Sequence, residues 1–251
     1  MPKISSKSKK IYIIILLSLS LIVCIITANY FSLLIVKTDI QADKVSSSPF
    51  EITFISLSKS QIKNEALSLA SDTQKNGGSG FVIQNENYFH LTHSAYINKN
   101  DAQLVQNSLK NNENLESELV SIKFASFSVI GSFSPDEIKV LTKSLNAFLD
   151  FYREIYDISV SVDTNVYNEI SARLAVNNTH NNLAKTIDNF TLLFGQSTNP
   201  YLQTLSTGLS DLKNISQSLC GGVPLNSTQT YSSLLKYRYT EALELYLNMG
   251  E

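Results

Sequence analysis

The spacing of apolar residues switches repeatedly between residues 50 and 131, and this switching restricts the possible folds more than any motif does. The stretch FEITFISLS, residues 50–58, sets Phe50, Ile52 and Phe54 against Glu51 and Thr53. That alternation is the mark of a half-buried strand. Residues 59–75 change to helical spacing, with Ile62, Ala66, Leu69 and Ala70 on one face. Asn76-Gly77-Gly78 ends the helix, because glycine accepts the left-handed backbone that a helix end often requires. A short strand over 81–84, a polar turn at Asn85-Glu86-Asn87 and a strand at FHLTHSAY, residues 89–96, come next. Strict alternation in that strand puts Phe89, Leu91 and His93 on one face, and His90, Thr92 and Ser94 on the other. Residues 98–112 return to helical spacing, with Ala102, Val105 and Leu109 inward. Residues 119–130 supply a last strand, in which Val120, Ile122 and Phe124 alternate with Ser121, Lys123 and Ala125. The pattern predicts a βαββαβ unit of the α+β class. Two helices would cover one face of a four-stranded sheet and leave the other open to solvent.

This doubled unit resembles the SPOR (sporulation-related) domain, a module that binds peptidoglycan in bacterial cell division and sporulation proteins. The family's first strand reads aromatic-x-Val-Gln-x-Gly-x-Phe, and FEITFISL places Phe50, Ile52, Thr53, Ile55 and Leu57 at those positions. The third strand of the family is similar to FHLTHSAY, and Asp101-Ala102 matches its acidic-Ala pair. Lys75-Asn76-Gly77 resembles the family's Lys-x-Gly exit from the first helix. Thr53 stands where the family has Gln, and Ile55 and Ser94 where it has glycine. The resemblance implies a divergent SPOR-like domain over residues 50–131 that binds glycan strands on its open face. Thr53, His90, Thr92, Ser94, Ser121 and Lys123 would lie there as hydrogen-bonding groups, and Tyr96 as a ring for stacking on a sugar.

From Ser134 onward the spacing is helical. Ser134-Pro135-Asp136-Glu137 combines a capping serine, proline at the first helical position and the glutamate of a capping box. The helix continues through Ile138, Leu141, Leu145, Phe148, Tyr152 and Ile155. Further helices are expected near 164–177, 180–195, 199–219 and 228–248, with breaks at Asn177-Asn178, Asn199-Pro200 and Gly221-Gly222-Val223-Pro224. Residues 134–251 therefore read as an antiparallel helical bundle forming a separate domain.

Ahead of both regions stands IYIIILLSLSLIVCIITANYFSLLIV, residues 11–36, which carries no charge. Roughly 20 apolar residues suffice to cross a bilayer, so the run predicts an uncleaved signal anchor, a single transmembrane helix. Residues 1–10 form a basic tail with Lys3, Lys7, Lys9 and Lys10, expected on the cytoplasmic side of the cell membrane. Residues 37–49 read as a polar linker, and everything after it is expected outside the cytoplasm. Residues 37–251 hold 16 basic and 22 acidic side chains, a net of −6, which argues against nucleic acid as a partner.

Chemistry is sparse. In a strand, His90 and His93 point to opposite faces and cannot share a metal ion, so no metal site is expected. Cys220 is the sole cysteine after residue 36, so no internal disulfide is expected there. No Gly-x-Ser-x-Gly elbow or catalytic cysteine motif occurs, and Gly77-Gly78-Ser79-Gly80 follows a helix rather than opening one. These observations predict a non-enzymatic protein without cofactors. Its function is read as peptidoglycan binding by a single-pass membrane protein. The alternative is a membrane-tethered scaffold whose helical bundle holds a protein partner.

Overall fold

A computed structural model describes residues 43–220 and 230–250. A four-stranded antiparallel sheet is built from β2 (Phe50–Ser60), β3 (Phe81–Asn85), β4 (Tyr88–Tyr96) and β5 (Glu118–Phe124), in the order β3-β4-β2-β5. A second, two-stranded sheet pairs β1 (Asp43–Ser46) with β6 (Ser128–Gly131). The helices α1 (Lys63–Ser68), α2 (Ala70–Lys75) and α3 (Lys99–Glu113) connect the strands of the larger sheet. Four longer helices follow: α4 (Pro135–Asp163), α5 (Glu169–Phe194), α6 (Pro200–Leu219) and α7 (Tyr231–Met249). Packing runs from α4 to α5, α5 to α6, α6 to α7, and back from α7 to α4.

Local chemistry accounts for the helix starts. Ser134 and Glu137 form a reciprocal capping box, and Asn98, Asn168, Asn199 and Thr230 each accept a backbone N–H at the next helix start. Such caps contribute about 1 kcal/mol each. Asn177-Asn178 does not break the chain. Helix α5 runs through it because Val176 and Thr179, on either side, are buried against the bundle. Packing of that face outweighs the modest helix propensity of asparagine.

The expected architecture needs correction in three respects. The strand expected over 119–130 is two strands, and its second half joins part of the expected linker in the small sheet. Val45 and Val129 bury there, and Ser46 Oγ meets Ser128 Oγ at 2.9 Å. The large sheet has no open face. Ile55 and Leu91 bury toward α1–α3, while Ile52, Phe54, Ile83 and Phe124 share one core with Phe148, Tyr152, Leu235 and Tyr239 of the bundle. The strands are apolar on both sides, so a wet face would leave several large side chains exposed, at roughly 1.5–3 kcal/mol each. The third correction concerns the membrane. Among the described residues no helix is long and apolar enough to cross one, and the span expected at 11–36 lies outside the described residues.

Strict alternation also fails inside β4. Thr92 lies opposite Ser56 and Ser94 opposite Ile55, which leaves His93 as an extra, unpaired residue. This bulge puts Ser94 on the face of Leu91, and Ala95 on the bundle face with Phe54. It re-aims the one stretch of sheet that carries both histidines.

Candidate functional site

The bulge opens onto a groove of about 450 Å³. Its walls are α3 on one side and the C-terminal half of α4 on the other, with Asn76-Gly77 and Lys236 of α7 at one end. Leu104, Val105, Leu109 and Val160 give it an apolar flank, and Leu104 is 69% exposed.

His93 lies at its base and is only 7% exposed. The ring fits because residue 78 is glycine. A Cβ there would come within 2.8 Å of His93 Cδ2 and 2.6 Å of Thr73 Cγ2. Burial first, and then the nearby Lys236, push the His93 pKa down to about 3, so the ring is neutral. Its Nδ1 lies 3.0 Å from Ser94 Oγ, which donates to the Tyr96 hydroxyl at 3.0 Å. Because the Ser94 proton is committed to Tyr96, the serine oxygen must accept, so the network assigns the imidazole proton to Nδ1. Nε2 is then a bare acceptor without a hydrogen-bond partner among the described residues.

Tyr96 meets Tyr156 edge to face at 5.8 Å between ring centres, and both rings line the groove. Burial raises the pKa of Tyr96, the hydrogen bond from Ser94 opposes this, and Tyr156, Asp163 and Asp101 raise it further. Lys236 is buried but doubly satisfied, donating to Asp163 Oδ2 and to the Gly77 carbonyl, each at 2.8 Å. Asp101 and Glu113 line the same groove and make no ion pair among the described residues.

The residues expected to bind glycan do not form one surface. Ser94 and Tyr96 enter the groove network. Thr53 is buried and hydrogen-bonds Ser121 at 3.0 Å, while Ser121 and Lys123 are exposed on the outer strand β5. His90 and Thr92 are buried at the other side of the sheet. Thr92 donates to the Phe81 carbonyl at 2.9 Å, and His90 Nδ1 lies 3.2 Å from Ser56 Oγ and 3.3 Å from Glu118 Oε1. Burial lowers the His90 pKa, opposed by Glu118. Asp163 and Lys236 of the groove carry no signal in their local sequence. Only the packing of α4 and α7 on the sheet brings them to His93.

The site can hold a ligand by shape, by ring faces, by one bare imidazole nitrogen and by unpaired carboxylates. No known protein family, curated protein or solved structure matches this chain.

Proposed function

We propose that the chain is a non-catalytic binding module of a bacterial cell envelope, and that its recognition site is the groove between α3 and α4. The observation that carries this reading is the unpartnered Nε2 of a nearly inaccessible His93 at the base of an open groove. The rest of the ring is enclosed, but this nitrogen reaches the groove, so a ligand that brings a donor can take the place of water there. The uncharged run at 11–36 supports a tether to the cell membrane with the module outside the cytoplasm. The SPOR resemblance supports peptidoglycan as the polymer engaged, with the groove replacing the sheet face.

Pelleting of the full chain with purified peptidoglycan tests the proposal. Capture that is lost in Tyr156→Leu and kept in the double variant Ser121→Ala, Lys123→Ala supports the groove. The opposite result returns recognition to the outer edge of the sheet. Absence of capture removes the cell wall and favours the second reading, a scaffold for a protein partner. That reading draws on Ile170 and Leu174, one turn apart on α5 and 79% and 65% exposed.

A further inference from the structure

We infer that the groove recognises a primary ammonium group carried on an aliphatic stem, as in a lysine side chain or a free alkyl diamine. This inference rests on the reading of the groove as the binding site and specifies its ligand.

Charge decides against an anion. Among the described residues the one cation lining the groove, Lys236, is already held by Asp163 and the Gly77 carbonyl. Asp101 and Glu113 make no ion pair among the described residues, so the lining they form with Asp163 and Lys236 is net negative and attracts positive charge. Hydrogen bonding points the same way. His93 Nε2 can only accept, so the ligand must bring an N–H or O–H to it. Tyr96 and Tyr156 line the groove, Tyr156 with its ring stacked on Tyr152, and an aromatic ring attracts a cation within about 6 Å of its centre. An ammonium meets all three demands at once, donating to Nε2, facing the rings and neutralising the carboxylates.

The apolar flank fixes the remainder of the ligand. Leu104, Val105 and Val160 lie along the groove, and they would cover a stem of several methylenes. Burying such a stem strengthens binding in proportion to the apolar area covered. A bare metal or ammonium ion would leave that flank unused.

The test uses the full chain in lipid nanodiscs and isothermal titration with three blocked amino acids of matched stem: Nα-acetyl-lysine methylamide, its norleucine counterpart and its glutamate counterpart. The expected result is that the lysine compound binds at least ten-fold more tightly than the other two. Asp101→Asn should weaken it about three-fold or more. Tyr156→Leu should abolish that preference while Tyr156→Phe restores it, because phenylalanine keeps the ring face without the hydroxyl. 1,5-Diaminopentane and a lysine-containing peptide, titrated in parallel, separate a free amine from one presented on a polymer. Equal or tighter binding of the norleucine or glutamate compound overturns the ammonium assignment and leaves the groove as a site. No binding by any of the three overturns both.

Discussion

Tyr152 of α4 donates its hydroxyl proton to the carbonyl of Ala95 in β4 at 2.9 Å. The amide of the same alanine donates to Tyr239 of α7 at 3.3 Å. Strand β3 begins opposite Thr92, and the segment before it carries the pairing only as far as Ser79 N–H to the His93 carbonyl, so Ala95 has no strand neighbour on that side. Two bundle tyrosines, with ring centres 5.3 Å apart, take the place of the missing strand. The sheet edge is thus closed by side chains of the bundle, satisfying groups that would otherwise be orphaned and buried.

Loss of this closure should be costly. Tyr152→Phe and Tyr239→Phe should each destabilise the fold by about 1–3 kcal/mol in urea unfolding, since each leaves a buried backbone group unpaired. Their double variant should be non-additive, because both hydroxyls serve Ala95. Additive effects below about 0.5 kcal/mol would show that the edge is solvated and the clamp idle.

The core shared by sheet and bundle bears on the boundary expected at residues 131–134. Ile52, Phe54, Phe148 and Tyr239 are buried in one cluster. We expect fragments 50–131 and 134–251, expressed separately, to lack fixed tertiary structure by near-ultraviolet circular dichroism and to regain it when mixed. Two independently folded fragments would make that boundary a true domain border.

Acid should destabilise the protein through His93. Its folded pKa of about 3 lies below the unfolded value near 6.5, so the unfolded chain binds the extra proton between those limits. Stability is therefore complete above about pH 6.5 and falls as the pH drops, by roughly 2 kcal/mol at pH 5. Lys236 on α7 acts in this sense and Asp163 on α4 against it. His90, also depressed by burial, adds a loss of the same sign. His93→Gln should flatten the profile between pH 7 and 5, and an unchanged slope would exclude the assignment.

Glycine at position 80 should be indispensable. Its φ is +62°, and a Cβ would sit 2.6 Å from the Ala70 carbonyl oxygen. Backbone cannot move aside as a side-chain tip can, so Gly80→Ala should cost about 1–3 kcal/mol and lower the melting temperature by several degrees. Gly77 also has positive φ but meets nothing within 4 Å, so Gly77→Ala should cost less. Equal effects of the two would show that strain, rather than contact, governs both sites.

His90→Ala gives a direct reading of the sheet face. A ring 3% exposed, placed among Ser56 and Glu118, leaves a cavity and unpaired partners when removed. Thermal unfolding should show a loss of about 1–3 kcal/mol. A change within about 0.5 kcal/mol would place the histidine in solvent.

Local periodicity was enough to find most elements of the described chain. Phe50, Ile52 and Phe54 alternate as β2 does, and the Ser134-Pro135 start of α4 is written in its capping box. These signals are legible because hydrogen bonds within a helix, and alternation along a strand, depend on residues close in sequence. Three features were not legible. The bulge at His93 depends on how β4 pairs with β2, and one inserted residue reverses which face each later side chain meets. The pairing of β1 with β6 joins segments too short to announce themselves.

The covering of the sheet by the bundle was hidden for a different reason. Alternation separates two faces of a strand but does not say what covers either, and the apolar face of β2 reads the same against solvent, helices or a ligand. The sequence therefore determined the elements and the neutral, hydrogen-bonding character of β4. Tertiary structure alone decided that Tyr96, Tyr156, Asp163 and Lys236 meet around His93. They come from separate elements, and only burial of the shared core, a non-directional force proportional to area, draws those elements together.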